Sequence, residues 1–331
     1  MRITIVPSNN GLGHIKRQIF LANFLVKYFK IDLVVPKNIS KYFFIKKKIK
    51  IINYNLSLRI NKTQYNYSWF KFLNTKIFDK TDLFISDNLP EILRVNKKCI
   101  LFANFFWHQI LKMNRKKKSE IHNIIKKKNV PVFCNYFFVN KKIISNYNVK
   151  KLGFFGKFEG RKKKKIKNIL ISLGTATLEN SIKKQIYFEV INFLKLKKNT
   201  NFNFYIDPIL DLKKIKKSGF NVCKANYSKN MYKKIDLAII KPGLGTVHDC
   251  LQNAIPIITY TKFFNDEFLY NAKILEMKKL AINITNFKIL SNFLERNKYD
   301  EKFLKNYFSK CKNLIWNGEK KFLELIKKNN Y

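Results

Sequence analysis

The sequence predicts an α/β chain of two doubly wound, Rossmann-like parallel-sheet domains facing across a cleft. Three observations carry this reading. Short apolar runs of Ile, Val, Leu and Phe alternate with helix-length segments, a glycine turn follows the first strand of each half, and one lysine-rich stretch interrupts the pattern mid-chain.

Arg2 to Pro7 reads as a buried strand, Ser8 to Gly13 as a loop, and His14 to about Phe29 as an amphipathic helix. Strands follow at Ile31 to Val35, Lys50 to Tyr54, Leu83 to Ser86, Cys99 to Ala103 and Val132 to Cys134. Their helix-length spacers imply βαβ units with right-handed crossovers, so 1–150 is one domain. At Lys150 to Lys167 the stretch KKLGFFGKFEGRKKKKIK breaks the periodicity with three glycines and a lysine cluster, and 151–167 reads as an exposed interdomain linker. The pattern restarts with a strand at Asn168 to Leu173, a turn at Gly174 to Thr177, a helix at Glu179 to Leu196, and strands at Asn201 to Ile206 and Ile235 to Ile240. That places a second domain at 168–298. The remaining 299–331 is helical by composition and placed to pack back on the first domain as one terminal helix.

A chain of 331 residues with 46% hydrophobic residues has enough apolar side chain for a core in each domain, which excludes disorder. Lys and Arg number 67 against 21 acidic residues, a formal net charge of +46. Lys, Asn, Ile, Phe and Tyr rise together while Gly and Pro are scarce, as AT-rich coding alone would produce. The charge therefore specifies no nucleic acid, although such a field draws in phosphorylated substrates and favours an anionic membrane surface. Five scattered cysteines without a CxxC pair give no disulfide framework or zinc site, so no metal is expected and a reducing, cytoplasmic location is. No apolar run approaches the ~20 residues of a membrane span. A peripheral position on the inner membrane face fits the charge.

Three constellations carry chemistry. The stretch Ile235 to Pro256, IDLAIIKPGLGTVHDCLQNAIP, is a buried strand ending in a turn at Gly243 and Gly245 that opens into a helix from Thr246. A helix start of this kind offers unpaired N–H groups to a phosphate, and Asp249 one turn in can reach a sugar hydroxyl beside it. A second turn, ILISLGTAT, supplies Gly174, Thr175 and Thr177 on the same sheet edge. Neither turn is followed by Gly-Lys-Ser/Thr, which argues against P-loop ATP chemistry. The first loop, SNNGLGHIKR, sets Gly11 and Gly13 before a helix that begins at His14. Lys16 falls where a third glycine of a dinucleotide fingerprint belongs, so a nicotinamide reading is poor. His14 at a positive helix end favours the neutral imidazole that a general base needs, or it is a surface cap.

Together GLGHIKR, SLGTAT, KPGLGTVHDCLQNAIPIITY and NDEFLYNAKILE resemble the GT-B glycosyltransferases. Within that fold they are similar to the branch of the undecaprenyl-diphospho-muramoyl-pentapeptide N-acetylglucosaminyltransferase, the UDP-glycosyltransferases and the nucleotide-sugar hydrolase of pseudaminic acid synthesis. The resemblance implies a transferase moving sugar from a UDP-type donor to a sugar or glycolipid acceptor in cell-envelope synthesis, with no cofactor. It makes His14 the base, Gly243, Gly245, Thr246, Gly174 and Thr175 the phosphate contacts, and Asp249 the ribose ligand. The sugar-binding pair of relatives commonly ends in Gln; here Asp266 and Glu267 stand in that place. Asp87, in TDLFISDNLP, either orients His14 or caps a helix over Leu89 to Val95. Trp107 and His108 in NFFWHQ, with Gly11 and Gly13, are the acceptor candidates, the aromatics fitting core packing equally well. A hydrolase of the same fold and a non-catalytic nucleotide- or sugar-binding protein are the alternatives.

Overall fold

A computed structural model describes residues 1–8, 12–37, 43–54, 76–95, 98–110, 115–174, 179–197, 200–207, 210, 215, 220, 222–263, 266–290 and 300–329. The chain divides into two compact units, Met1–Gly156 with Ile315–Tyr331, and Lys157–Leu314.

Unit 1 contains β1 (Arg2–Pro7), α1 (Leu12–Leu25), β2 (Lys30–Pro36), β3 (Lys50–Tyr54), β4 (Leu83–Asp87), β5 (Lys98–Phe102), α2 (Arg115–Lys128), β6 (Val132–Asn135) and β7 (Val149–Leu152). The strands form one sheet in the order β3-β2-β1-β4-β5-β6-β7, every pair parallel. Both sheet faces are covered, which is why the strands read as apolar runs rather than alternating ones. Val6, Phe84, Leu101 and Ile121 belong to one apolar layer, and Ile3, Ile5, Leu21 and Leu33 to the other.

Unit 2 contains β8 (Asn168–Ser172), α3 (Asn180–Leu196), β9 (Asn203–Ile206), β10 (Val222–Lys224), α4 (Lys229–Lys234), β11 (Leu237–Ile240), α5 (Leu244–Gln252), β12 (Ile257–Tyr260), α6 (Asp266–Met277), β13 (Ala281–Ile284) and α7 (Glu301–Lys312). Its sheet runs β10-β9-β8-β11-β12-β13, again all parallel.

Two expectations are corrected. The single terminal helix over 299–331 is two helices: α7 belongs to unit 2, and α8 (Gly318–Lys328) returns to unit 1. Asp300 starts α7 by accepting from the Phe303 N–H at 2.7 Å. Helix α8 buries Phe322 against Phe102 and Phe133, with ring centroids 4.9 and 4.8 Å away. Its first residue is Gly318, where a Cβ would lie 2.4 Å from the Gly153 carbonyl oxygen, so glycine is required.

The stretch 151–167 is likewise not uniformly exposed. Residues 152–155 are buried, and Lys163, in the middle of the lysine run, is 8% exposed. Its ammonium donates to the Ile235 carbonyl and lies 3.3 Å from Asp236 Oδ1. A buried carboxylate pulls one lysine inward while its neighbours stay solvated.

A 3-10 turn (Pro90–Arg94) follows β4 and buries Glu91 at 2% exposure, with neither carboxyl oxygen hydrogen-bonded within the described residues. Burial pushes the Glu91 carboxyl up to about 8, against the opposing charge of Arg94. The folded state thus holds a proton that the unfolded chain releases in the ordinary glutamate range. The resulting stability is complete below that range and is lost as pH rises through about 8. Glu91→Gln is expected to remove this dependence. In thermal unfolding, wild type should lose on the order of a few kcal/mol relative to the variant between about pH 5 and pH 9; parallel curves would contradict the assignment.

Candidate functional site

In each sheet the first strand lies between a partner on one side and the strand entered by a crossover on the other: β1 between β2 and β4, β8 between β9 and β11. Such switch points are where connecting segments leave toward opposite faces and open a crevice at the carboxyl ends of the strands. Of the residues singled out in the sequence, His14 and Asp87 meet at the first point, and Gly174 and Gly243 flank the second.

In unit 1, parallel pairing sets Pro7 opposite Asp87, and the Ser8 N–H donates to the Asp87 carbonyl at 3.1 Å. Helix α1 begins four residues further on, so its first turns stand over the end of β4. His14, Arg17 and Gln18, spaced i, i+3, i+4, share one helix face. His14 Nδ1 lies 2.8 Å from Asp87 Oδ1. Arg17 donates from Nη2 to Oδ1 at 2.6 Å and to Oδ2 at 2.7 Å, and from Nε to Oδ2 at 3.1 Å. Gln18 Nε2 donates to Oδ2 at 2.9 Å.

Asp87 is fully buried. Burial alone would raise its pKa, but the charges and hydrogen bonds of Arg17 and His14 outweigh it and hold the carboxyl well below the usual carboxylate range. An ionised carboxylate only accepts hydrogen bonds, so Nδ1 of a neutral His14 carries the proton and Nε2 the lone pair. Of the two readings of Asp87, the helix cap fails: the 3-10 turn has Leu89 at its N-cap and no side-chain capping bond. The next residue, Asn88, sits at φ 59°, a left-handed conformation that Asn tolerates, and its N–H donates to the Phe102 carbonyl at 2.8 Å.

The acceptor candidates fare differently. Gly13 is half-buried in the first turn of α1. Gly11 lies outside the described residues, as does the side chain of Trp107. His108 is only 2% exposed, its ring 5.6 Å from that of Phe106 and its Nε2 3.4 Å from the Tyr147 hydroxyl. Burial, reinforced by the charges of His122 and Lys118, pushes its pKa down to about 3. The expectation of an acceptor-contacting His108 is corrected to a buried, neutral histidine between the Phe106 ring and the Tyr147 hydroxyl.

In unit 2, β8 and β11 run side by side, and the Lys241 N–H donates to the Ser172 carbonyl at 3.0 Å, so the two glycine turns are neighbours. Gly174 has φ +54°, and a Cβ on it would stand 2.8 Å from Lys241 Cε. The positive φ favours glycine, whereas the contact is only with the flexible end of a lysine side chain. Its N–H donates to Asp207 Oδ2 at 3.3 Å, so an internal carboxylate already occupies this donor. Thr175 lies outside the described residues.

Lys241 was missed in the sequence because it reads as the end of a strand. Its ammonium donates to the Gly174 carbonyl at 3.3 Å and lies 4.7 Å from the centre of the Phe268 ring. Burial lowers its pKa, while the charges of Glu267 and Asp207 oppose that shift. A lysine just before a Pro-Gly turn at a switch point was the available signal.

Gly243 is the N-cap of α5 at φ −74° and ψ 131°, angles open to any residue, and it gives no side-chain cap. The first-turn N–H groups, including those of Gly245 and Thr246, have no intrahelical acceptors. Among the described residues a Cβ on Gly243 would meet nothing closer than Phe268 Cε1 at 3.8 Å, so neither the backbone angles nor this packing demands glycine here. Helix α6 walls the turn, with Asn271 Nδ2 donating to the Pro242 carbonyl at 3.1 Å. Of the expected sugar pair, Asp266 is exposed and Glu267 is buried. Asp249 is 8% exposed and interacts with the buried Tyr232 hydroxyl, a partner the sequence did not reveal. Among the described residues no group of three or more His, Cys, Asp and Glu side chains is suited to a metal ion.

No family model matches the sequence, and no curated protein is significantly similar to it. Solved structures are. The glycosyltransferase of kitacinnamycin aligns over 99% of this chain and 98% of its own, with TM-score 0.64 and 13% identity. The calicheamicin glycosyltransferase CalG4 aligns over 99% and 97%, with TM-score 0.65 and 11% identity. The spinosyn forosaminyltransferase SpnP aligns over 99% of both chains, with TM-score 0.62 and 8% identity. The chain has the GT-B fold. Its two units are the two Rossmann-like halves of the GT-B architecture, with the His14 and Asp87 pair in the first and the glycine turns in the second.

Proposed function

We propose that the chain is a glycosyltransferase that moves a sugar from a nucleotide-diphosphate sugar, of UDP type, to an acceptor hydroxyl. The observation that carries the donor half is Gly243. Nothing among the described residues requires glycine there, whereas a diphosphate approaching the first turn of α5 needs that backbone bare. The α5 N–H groups and the Lys241 ammonium then meet the charge that develops on the leaving diphosphate. In the acceptor half, His14 Nε2 takes the hydroxyl proton as oxygen attacks the anomeric carbon. The bond to the diphosphate oxygen breaks, and its electron pair leaves with the nucleotide. In this reading Asp249, which interacts with Tyr232, takes the ribose hydroxyls and Glu267 those of the sugar.

Thermal-shift measurements against UDP-, GDP-, CMP- and dTDP-sugars test the donor, with UDP-sugars expected to stabilise the protein. If none does, the proposal fails. The same dyad would activate water equally well, so the fate of the sugar decides between transfer and hydrolysis. Free sugar released at one rate with and without acceptors would establish a hydrolase.

The acceptor is proposed to be a glycolipid, reached from an anionic membrane face in cell-envelope synthesis. Lys16, Phe20, Phe24 and Tyr28 follow one another at four-residue spacing along α1 and the turn after it. Phe20 is 42% and Tyr28 48% exposed, and Lys327 lies 5.0 Å above the Tyr28 ring. Asn23 donates to the carbonyl of Phe44, itself 78% exposed, at 2.9 Å. Exposed aromatics set among lysines suit the interface of an anionic bilayer. Sedimentation with phosphatidylglycerol vesicles should be strong for wild type and weakened at least about tenfold by Phe20→Ser with Phe44→Ser, each replaced aromatic forfeiting about 1 kcal/mol or more of apolar burial. Equal sedimentation of both proteins would contradict the surface.

A further inference from the structure

Asp87 collects more donors than orienting one imidazole requires. His14 and Arg17 Nη2 reach Oδ1, and Arg17 Nη2, Arg17 Nε and Gln18 Nε2 reach Oδ2. The carboxylate is wholly out of solvent, whereas the Arg17 side chain keeps 26% exposure and so remains partly hydrated. A buried carboxyl has two ways to satisfy His14. As a carboxylate it accepts from Nδ1–H and leaves the lone pair on Nε2. As a neutral acid it donates to Nδ1, and the imidazole proton moves to Nε2, where no base remains to receive an acceptor proton. The surrounding chain favours the second state by desolvation. Only a permanent cation with a two-pronged fork opposes it at both oxygens, and a guanidinium does not deprotonate in a protein.

We propose that Arg17 is a positioning residue: by holding both oxygens of Asp87 as acceptors, it fixes the His14 imidazole with its proton on Nδ1. Gln18 fixes the rotation of the same carboxylate through Oδ2, its amide working as a neutral brace. Arg17 needs no contact with substrate for this role. The inference deepens the dyad in the transferase reading, but its readout requires no substrate.

The experiment is imidazole nitrogen NMR on full-length protein at about pH 8. The chain has only four histidines, and the His14→Ala spectrum identifies the His14 signals by difference. Wild type should show a protonated Nδ1 and an unprotonated Nε2 for His14. In Arg17→Met the pattern should reverse or split between the two tautomers, and Arg17→Lys should restore most of the wild-type pattern by returning the charge. Should Arg17→Met not fold, Arg17→Gln, which keeps hydrogen bonding without the charge, takes its place and should show the same reversal. An unchanged Nδ1–H signature in the folded Met or Gln variant overturns the proposal. With the sugar substrate identified, the variant should lower kcat with little change in donor KM, whereas mere destabilisation would move neither selectively. If no nucleotide-sugar is turned over but the tautomer still follows Arg17, the transferase reading fails and this one stands.

Discussion

Asp87→Asn is expected to lower sugar transfer by about 10²–10⁴-fold while leaving donor binding intact. The substitution changes a single atom group inside a buried site, so shape is conserved and the effect is chemical. An asparagine turns its carbonyl toward Arg17 and its amide toward the ring, and an amide N–H donating to Nδ1 drives the imidazole proton onto Nε2. The general base is then blocked. Loss of the negative charge also removes the stabilisation of the imidazolium that forms as the acceptor hydroxyl is deprotonated. Steady-state kinetics should show the loss in kcat, with donor KM near wild type. A variant that turns over within threefold of wild type would remove Asp87 from the mechanism.

Lys241→Met should act on the other half of the reaction. Met preserves the packing of the side-chain stem on Phe268 and removes only the ammonium, which stands between the Gly174 carbonyl and the charges of Asp207 and Glu267. Without it, a diphosphate meets two carboxylates with no compensating cation. A hydrogen bond to a charged group contributes about 1.5–3 kcal/mol, so donor affinity should fall on the order of 10- to 100-fold. Calorimetric titration with UDP measures this directly, and thermal unfolding without ligand shows whether the fold has survived. Lys241→Arg should keep part of the affinity, since it keeps the charge in a larger head group.

Much of the fold was legible because parallel strands buried on both faces leave continuous apolar runs. Ile3 to Val6, Leu83 to Ile85, Ile169 to Ile171 and Leu237 to Ile240 needed no tertiary information to find. Strands β7, β10, β12 and β13 were not placed; β7 and β10 are short and half-exposed, with Lys150 and Lys151 in one and Cys223 and Lys224 in the other interrupting any apolar pattern. The break between α7 and α8 escaped because residues 313–317 contain neither glycine nor proline. After the break Gly318 fits against Gly153, a contact between positions 165 residues apart.

The site divides in the same way. His14, Gly174 and Gly243 were visible because each sits at a strand-turn-helix junction, which is a local pattern. The partnership of His14 with Asp87 depends on β1 pairing with β4, a long-range register that no local pattern displays. Lys241 and Asp207 were invisible for the related reason that a lysine or aspartate at a strand end is unremarkable until the sheet order places it at a switch point. His108 was misjudged because a histidine after aromatic residues reads the same in sequence whether it faces solvent or core.

If the turn from Lys241 to Thr246 holds a nucleotide diphosphate while His14 and Asp87 transfer the proton in the other unit, UDP titrated into wild type and Asp87→Asn should bind saturably with similar strength, and at least tenfold more weakly to Lys241→Met. Absence of UDP binding to wild type, or equal binding by Lys241→Met, would contradict that arrangement.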